Sequence, residues 1–378
     1  MAVLHLLTKF WDVEAVTVDH RLRAEAAEEA EFVAASCAKL GVPHHVLVWR
    51  HGKITGNLQD AARRARYDLI AKWAKRRGLA HVALGHTADD QAETFLMRLA
   101  RQSGVDGLSG MKPRRKMAGI TFHRPFLSFQ RQELRSYLRR HDIAWIEDPS
   151  NADERFDRIK ARRALAALAP LGIGPDELSG VAHNLQMERS ALRHCTAAEF
   201  ARIGAVDRGD LVFEARELAR LHPEINRRLL IAALRWISEA DYAPRAEALI
   251  KLQTAIRHGK SHTLHGCRIL TQKKTVRITR EARAVRDTEC GTRQLWDGRW
   301  KLRGPHSRTL RVRALGAAGL AQCPDRKRSG LPRASLLASP GIWHDNNLVA
   351  APLANMGDIW RAELAGNRDD FASFLLSH

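Results

Sequence analysis

This chain of 378 residues has few cysteines and no long apolar run, the features that are typical of disulfide-rich, metal-binding and membrane-spanning proteins. No two of its five cysteines lie within three positions of each other, which excludes a C-x-x-C redox pair and a zinc knuckle and is typical of a reducing cytoplasm. These cysteines are Cys37, Cys195, Cys267, Cys290 and Cys323. No apolar run approaches a membrane span, and the segment 1–9 lacks the basic start and cleavage site of a signal peptide. We therefore expect a cytoplasmic protein with no membrane partner.

Acidic residues are also few relative to basic ones. The chain has 62 Lys and Arg against 42 Asp and Glu, a formal net charge of +20. Between positions 98 and 163 there are 16 basic and 8 acidic residues. Such an excess indicates a polyanionic partner, and without apolar membrane-binding segments it favours RNA or DNA over a lipid surface.

Short apolar runs alternate with amphipathic stretches in the first part of the chain. They predict strands at Ala15–Asp19, His45–Trp49 and 79–84, and helices at 24–40, 58–77 and 89–102. Strands alternating with helices of this length are typical of parallel β-α units. The sequence thus predicts an α/β domain with a parallel sheet over residues 1–170.

Composition changes twice after that point. Gly172, Gly174 and Pro175 mark a linker, and the following residues predict a mainly helical domain over 176–285. After Gly291 an alternating strand at 308–315 and three tryptophans predict a small α+β domain over 291–378. The tryptophans expected to cover its sheet are Trp296, Trp300 and Trp343. Other predicted helices are 1–10, 129–141, 153–168, 176–203, 223–239 and 244–257, with two strands near 262–270 and 276–278.

The segment 85–94 carries most of the candidate chemistry, because an acid-rich helix start follows directly after a strand. His86 lies at the strand end, where open α/β sheets bind ligands, although a histidine can also simply terminate a strand. Asp90 and Glu93 are three residues apart and share a helix face. Such a pair can hold Mg²⁺ or accept a proton from an amine. Asp90 has a structural alternative as the reciprocal member of a capping box with Thr87.

Two further groups of residues have both a structural and a functional interpretation. Asp19 ends the first strand, either as a simple strand cap or as a contact to adenine or ribose. Arg63, Arg66 and Tyr67 lie on the helix 58–77, which is either a solvated basic face or a phosphate-binding one. The basic run 112–116 follows a glycine-rich loop at 103–110.

Taken in order, these segments resemble bacterial tRNA(Ile)-lysidine synthases, which are N-type ATP pyrophosphatases with a PP-loop. The resemblance covers about 160 residues and is looser beyond them. The matching segments are 18–23, Ala62-Arg63, Arg66-Tyr67, 85–94, 103–111, Arg124-Pro125, 147–151, Arg158 and Arg162.

The resemblance implies an adenine-nucleotide α-hydrolase-like fold and a two-step ligase reaction. ATP, with Mg²⁺, adenylates the C2 oxygen of the wobble cytidine, position 34, in a tRNA(Ile) with a CAU anticodon. Free L-lysine then displaces AMP through its amine and forms lysidine. The residues leave open whether the enzyme acts as a homodimer.

Roles for single residues also follow from the resemblance alone. Asp90 and Glu93 are expected to bind the lysine ammonium and to assist its deprotonation. Arg63 and Arg158 are expected to stabilise developing negative charge or to grip the tRNA. The expected nucleotide-binding residues are Asp19, His20 and His86. The expected tRNA-binding residues are Arg101, Lys112, Arg114, Arg115 and Arg162. No ligands for the metal ion are assigned.

The chain departs from the family pattern at three points. The family's Ser-Gly-Gly-x-Asp-Ser loop is absent from the 378 residues, so we expect the first strand and this loop to be encoded just upstream of an internal Met1, and the chain alone to be poorly active. Arg21 replaces a glycine of the Asp-His-Gly-Leu-Arg signature. Ile159 replaces the asparagine of an Arg-Asn pair.

Two other functions fit parts of the same pattern. One is a catalytically inactive tRNA-binding protein, because backbone amides that hold pyrophosphate are missing. The other is a related tRNA thiolase, but such enzymes use paired cysteines, and none are paired in this sequence.

Overall fold

A computed structural model describes residues 1–22, 26–52, 56, 58–146, 157–366 and 370–377. The chain forms two compact units, Met1–Arg189 and Ser190–His378. Both predicted ranges 176–285 and 291–378 contribute to the second unit. Their division into separate domains therefore stays a prediction.

The first unit alternates helices and strands from α1 to α4. Its elements are α1 (Ala2–Leu7), β1 (Ala15–Asp19), α2 (Ala26–Leu40), β2 (His44–Val48), α3 (Leu58–Arg76), β3 (His81–Ala83), α4 (Ala88–Leu99), α5 (Val105–Leu108), β4 (Arg114–Met117), β5 (Ile120–His123), α6 (Arg131–Arg140), α7 (Asp157–Leu168) and the first part of α8 (Pro175–Ile203).

The strands of this unit form two groups. β1 and β2 pair in parallel, with Ala15 opposite His44. β3 pairs in parallel with β5, and β5 pairs antiparallel with β4. One apolar cluster contacts both groups, because Val16 of β1 and Val82 of β3 pack on the buried face of α3. This confirms the predicted α/β fold with parallel strands.

The basic run at 112–116 is part of a strand rather than a loop. β4 and β5 form a hairpin joined by Ala118 and Gly119, which both have positive φ angles of 49° and 82°. Two positive φ angles are the mark of a type I′ turn, the connection that favours tight hairpins. The strand escaped prediction because its exposed Lys and Arg side chains show no apolar alternation.

The second unit contains more strands than the sequence predicts. Its elements, after the end of α8, are β6 (Gly204–Asp207), β7 (Asp210–Glu214), α9 (Ala215–Arg220), α10 (Pro223–Ser238), α11 (Ala246–Arg257), β8 (His262–Leu264), β9 (Cys267–Thr271), β10 (Thr275–Arg280), β11 (Cys290–Gly291), β12 (Trp300–Arg303), β13 (Arg311–Ala314), α12 (Gly316–Ala321), α13 (Arg333–Leu337), β14 (Pro340–His344), β15 (Asn347–Ala350), β16 (Arg361–Leu364) and α14 (Phe371–Ser377).

A five-stranded antiparallel sheet in the order β6-β7-β10-β9-β8 packs against α10 and α11. The last helix joins this core, since Phe371 is fully buried against Phe200 and Trp236. A second sheet has the order β11-β13-β14-β15, beside the pair β12-β16. The tryptophans expected at this sheet are buried: Trp296 and Trp300 lie in one apolar cluster and Trp343 in the next.

Neither a disulfide nor a membrane-spanning helix occurs in the described part of the chain. All five cysteines are free, and no described helix combines the length and the apolar character needed to cross a bilayer.

Candidate active site

Glu93 of α4 is a buried carboxylate at the centre of a cluster of ion pairs. Its side chain is 1% exposed, and its Oε1 atom lies 2.6 Å from Arg162 Nε and 3.3 Å from an Arg131 guanidinium nitrogen. Arg158 Nε lies 3.9 Å from the other carboxylate oxygen. We call Glu93, Arg131, Arg158 and Arg162 the Glu93 cluster. A carboxylate with this environment is held in place, because guanidinium groups compensate its charge and hydrogen-bond its Oε1 atom, while Oε2 is buried without a hydrogen-bond partner.

The two carboxylate oxygens of Asp90 have different surroundings. Its Oδ2 atom accepts hydrogen bonds from the backbone N–H of Thr87 at 2.9 Å and from the Thr87 hydroxyl at 3.0 Å. The capping box expected as the alternative is therefore present. Its other oxygen lies 3.7 Å from Arg131, and the side chain is 15% exposed. One oxygen is thus fixed by the helix end, while the other faces the Glu93 cluster.

A second group of arginines surrounds the buried ring of Tyr67 on α3. The guanidinium of Arg63 lies 5.4 Å from the ring centroid and that of Arg115 lies 5.9 Å from it. The Tyr67 hydroxyl accepts a 3.0 Å hydrogen bond from Arg124. We call Arg63, Arg115, Arg124 and Tyr67 the Tyr67 cluster. Its geometry holds three cations close together through one aromatic side chain.

No carboxylate in the described ranges forms an ion pair with the three arginines of the Tyr67 cluster. Arg124 is 4% exposed and its other hydrogen bond goes to the Lys112 backbone carbonyl at 2.7 Å. Burying a guanidinium without a counter-charge is costly. The Tyr67 cluster is therefore a site that an anionic group would stabilise.

Two histidines line the same region and are uncharged near neutral pH. Burial is the main cause that lowers the pKa of His86 to about 4; Asp90 opposes this shift, and Arg124 and Arg63 add to it. Burial, followed by the charge of Arg66, lowers the pKa of His20. The Nδ1 atoms of both rings are buried without a hydrogen-bond partner. Two neutral rings with unused nitrogens are available to hydrogen-bond a polar ligand.

Among the predicted nucleotide-binding residues, His20 contacts an arginine side chain and Asp19 caps a turn. Arg66 Nε donates to His20 Nε2 at 3.2 Å. Asp19 Oδ1 accepts a 2.7 Å hydrogen bond from the backbone N–H of Arg21, so Asp19 closes the turn after β1. Arg21 has a φ of 53°, in the left-handed region that glycine adopts most easily. The departure from the family's glycine therefore leaves the glycine-like backbone conformation intact.

The structure separates the residues expected to bind tRNA. Arg162 belongs to the Glu93 cluster and Arg115 to the Tyr67 cluster. Arg114 is exposed on β4, and Lys112 precedes that strand. Arg101 forms an exposed ion pair with Asp157, with the atoms 3.0 Å apart. Arg23 and the motif at 147–151 lie outside the described residues, and Ile159, at the family's asparagine position, is a buried apolar residue of α7.

Arg131 is a member of the site that the sequence did not indicate. Its side chain lies between Asp90 and Glu93, and its backbone N–H donates to Asp89 Oδ2 at 2.6 Å. It begins α6, which carries a capping box between Gln130 and Glu133. That capping box is the one local signal that would have fixed the start of α6 and hence the position of Arg131.

The donor set fits the phosphates of a nucleotide better than a protein-held metal ion. The Tyr67 cluster, His86 and His20 supply cations and hydrogen-bonding nitrogens. No group of three or more metal-ligating side chains occurs among the described residues, and Glu93 is engaged by arginines. We therefore assign no step to a protein-bound metal ion.

Comparisons with known proteins identify the family of the chain. The PP-loop domain model matches residues 1–169. A tRNA(Ile)-lysidine synthase of Ruegeria pomeroyi is 48% identical over all of this chain and 91% of its own length. One from Wolbachia pipientis wMel is 35% identical over 76% of this chain and 69% of its own. A solved U34-tRNA thiolase NcsA from Methanococcus maripaludis, with a [4Fe-4S] cluster, has a TM-score of 0.43 at 13% identity, covering 49% of this chain and 67% of its own. The chain belongs to the tRNA(Ile)-lysidine synthase family.

Proposed function

We propose that this chain joins free L-lysine to the wobble cytidine of a tRNA(Ile) with a CAU anticodon, using ATP. The observation that carries the proposal is the Tyr67 cluster, whose arginines have no carboxylate partner among the described residues and lie beside His86 and Asp90. Family membership supplies the reaction, and the uncompensated cations supply a place for the phosphates. The Mg²⁺ that accompanies ATP would enter with the nucleotide.

In the first step the C2 carbonyl oxygen of the cytidine attacks the α-phosphorus of ATP. The bond from that phosphorus to the bridging oxygen breaks, and pyrophosphate leaves. We expect Arg63 and Arg124 to stabilise the negative charge that grows on the phosphate oxygens. The unpartnered ring nitrogen of His86 is available to hydrogen-bond the nucleotide, and Asp19 and His20 lie at the β1 end of the same region.

In the second step the amine of lysine attacks C2, the C2–O bond breaks, and AMP leaves. The amine must lose a proton, and Asp90 is the better placed acceptor because one of its oxygens is free of the helix cap. Glu93 acts through the arginines that it holds in position. Asp90 and Glu93, which were paired by their spacing alone, therefore have different roles in this proposal. Asp90 accepts the proton of the substrate amine, and Glu93 positions the arginines.

The test is mass-spectrometric detection of lysidine in a tRNA(Ile) transcript incubated with ATP and L-lysine. The 378-residue chain and its Asp90→Asn variant are assayed in parallel. Lysidine formation by the unchanged chain supports the proposal, and Asp90→Asn should lower turnover at least about tenfold through lost proton transfer. If the unchanged chain binds the tRNA but makes no lysidine, the proposed ligase function is overturned.

A further inference from the structure

Arg131 fills the place between the two acids that are expected to receive the amine of lysine. Its Nη2 atom lies 3.7 Å from Asp90 Oδ1 and 3.3 Å from Glu93 Oε1. Among the described residues, no other side chain forms an ion pair with both acids. A cation of the chain itself therefore occupies the position in which the substrate cation would have to bind.

The charges around these acids oppose the entry of a further cation. Three arginines, Arg131, Arg158 and Arg162, lie against the carboxylates of Asp90 and Glu93. Free L-lysine carries a protonated side-chain amine near neutral pH, because the pKa of that group is about 10.4. Like charges brought into close contact repel each other strongly. One of the three arginines must therefore move away before the amine can bind.

The contact distances indicate that Arg131 is the arginine that moves. Arg162 donates a 2.6 Å charge-assisted hydrogen bond to Glu93 Oε1, and short bonds of this kind are the strong ones. Among the described acids Arg158 approaches Glu93 alone, at 3.9 Å, so its departure would not free Asp90. Arg131 lies 3.7 Å from Asp90, beyond the length of a direct hydrogen bond. Its side chain is also 32% exposed, so the guanidinium can turn towards solvent.

Only the side chain of Arg131 has to move, because its backbone is bonded to α4. The backbone N–H of Arg131 donates to Asp89 Oδ2 at 2.6 Å. Two residues earlier, the Phe129 carbonyl accepts a 2.8 Å hydrogen bond from the Ala88 N–H. These bonds hold the start of α6 against the start of α4 in either position of the guanidinium. Rotation about side-chain bonds, which is fast for exposed residues, is enough to open the place between the acids.

We propose that Arg131 is an internal competitor for the lysine site. In the empty site its guanidinium lies between Asp90 and Glu93, and L-lysine binds by displacing it. Arg162 stays on Glu93, so this carboxylate keeps a partner after the exchange, while Asp90 Oδ1 becomes available to the amine. Arg131 thereby raises the lysine concentration that binding requires. The inference rests on the proposed function for the identity of the amine.

Three variants separate competition from a general change of charge. Arg131→Gln removes the competing cation and leaves both acids in place. Arg131→Lys keeps a cation beside the acids. Arg140→Gln is the matched control, because it removes the same charge from an exposed position of α6, about 14 Å further along the helix axis. Unfolding midpoints are recorded to confirm that each variant is folded.

Titration calorimetry measures the Kd of L-lysine for each protein without ATP or tRNA. We expect Arg131→Gln to bind lysine at least about tenfold more tightly than the wild type, because a repelling charge is gone. Arg131→Lys should bind like the wild type, since it keeps the charge, and Arg140→Gln should do so because salt screens a distant exposed charge. Equal or weaker binding by Arg131→Gln, or no binding by either protein, would overturn the inference.

Free guanidinium ion should restore the competition in Arg131→Gln. At a concentration that does not denature the protein, guanidinium chloride should weaken lysine binding by this variant more than sodium chloride does at the same ionic strength. The place of the missing group would then accept an ion of the same shape, which a purely structural role of Arg131 does not predict. Equal effects of the two salts would count against the exchange.

The displacement can also be followed in the wild type by NMR with isotope-labelled arginine. The Nε–H signal of Arg131, assigned by its absence from Arg131→Lys, should lose protection from solvent exchange when L-lysine is added. The corresponding signal of Arg162 should keep its protection. Binding of lysine without any change at Arg131 would overturn the inference.

None of these measurements requires lysidine formation, so the two proposals can fail separately. A failed ligase assay, together with tighter lysine binding by Arg131→Gln, would overturn the ligase function and support the exchange. Lysidine formation together with equal lysine affinities of the wild type and Arg131→Gln would support the ligase function and overturn the exchange.

Discussion

The Glu93 cluster and the Tyr67 cluster each contain three arginines, but the two clusters differ in the groups that lie against the arginine charges. In the first, Arg131 and Arg162 lie within 3.3 Å of a buried carboxylate. In the second, the partners of Arg63, Arg115 and Arg124 among the described residues are an aromatic ring, a hydroxyl and a carbonyl. A compensated cluster stabilises the fold, whereas an uncompensated one stabilises a bound anion. Net charge alone does not distinguish them.

The largest effect is expected from neutralising the centre of the compensated cluster. Glu93→Gln leaves three guanidinium groups beside an uncharged side chain, and breaking a buried ion pair from one side costs about 3 to 5 kcal/mol. Urea unfolding would measure it. Asp157→Asn is the control, because the exposed pair with Arg101 should contribute less than about 1 kcal/mol. Similar small losses for both variants would show that Glu93 does not hold its cluster together.

The opposite pattern is expected at the Tyr67 cluster. Arg63→Gln should lower lysidine formation about a hundredfold, the scale of losing one group that stabilises transition-state charge. Its unfolding free energy should stay unchanged or rise, since repulsion between like charges is relieved. Arg64→Gln is the matched control, because Arg64 pairs with Asp60 one helical turn away. If Arg63→Gln lowered the unfolding free energy and kept the activity, the proposed difference between the two clusters would be contradicted.

Stability should depend on pH through His86, which lies beside both clusters. Its pKa is lowered to about 4, chiefly by burial, so below about pH 6.5 the unfolded chain takes up the proton first. The unfolding free energy should therefore fall as the pH drops from about 6.5 to about 4, by as much as about 3 kcal/mol. His86→Gln should flatten this slope, while exposed His194→Gln should not. The same slope in wild type and His86→Gln would mean that other groups cause it.

The smallest effect is expected at the turn that carries Asp19 and His20. Arg21 has a φ of 53°, a conformation that costs a non-glycine residue about 1 to 2 kcal/mol. Arg21→Gly should relieve this strain but increase the freedom of the unfolded chain, for a net gain of about 0.5 kcal/mol. Arg21→Ala should give no gain, because the backbone strain remains. A loss of stability in Arg21→Gly would show that the arginine side chain supports the turn.

The sequence predicted the elements of the first unit better than the partners of its side chains. β1 was predicted with its observed bounds, and α3 to within one residue, because both follow clear apolar periodicity. β4 and β6 were missed because a basic strand and a short strand show no such pattern. Spacing placed Asp90 and Glu93 on one helix face. It could not show that Arg131 and Arg162, which lie far along the chain, form ion pairs with Glu93.

The most direct test of the contrast between the clusters is the effect of inorganic pyrophosphate on unfolding. A ligand that binds only the folded protein raises its unfolding free energy as the ligand concentration passes the Kd. We predict that pyrophosphate stabilises the wild type and Arg64→Gln equally and leaves Arg63→Gln and Arg124→Lys nearly unchanged. Equal stabilisation of the wild type and Arg63→Gln would contradict the assignment of the uncompensated arginines to phosphate binding.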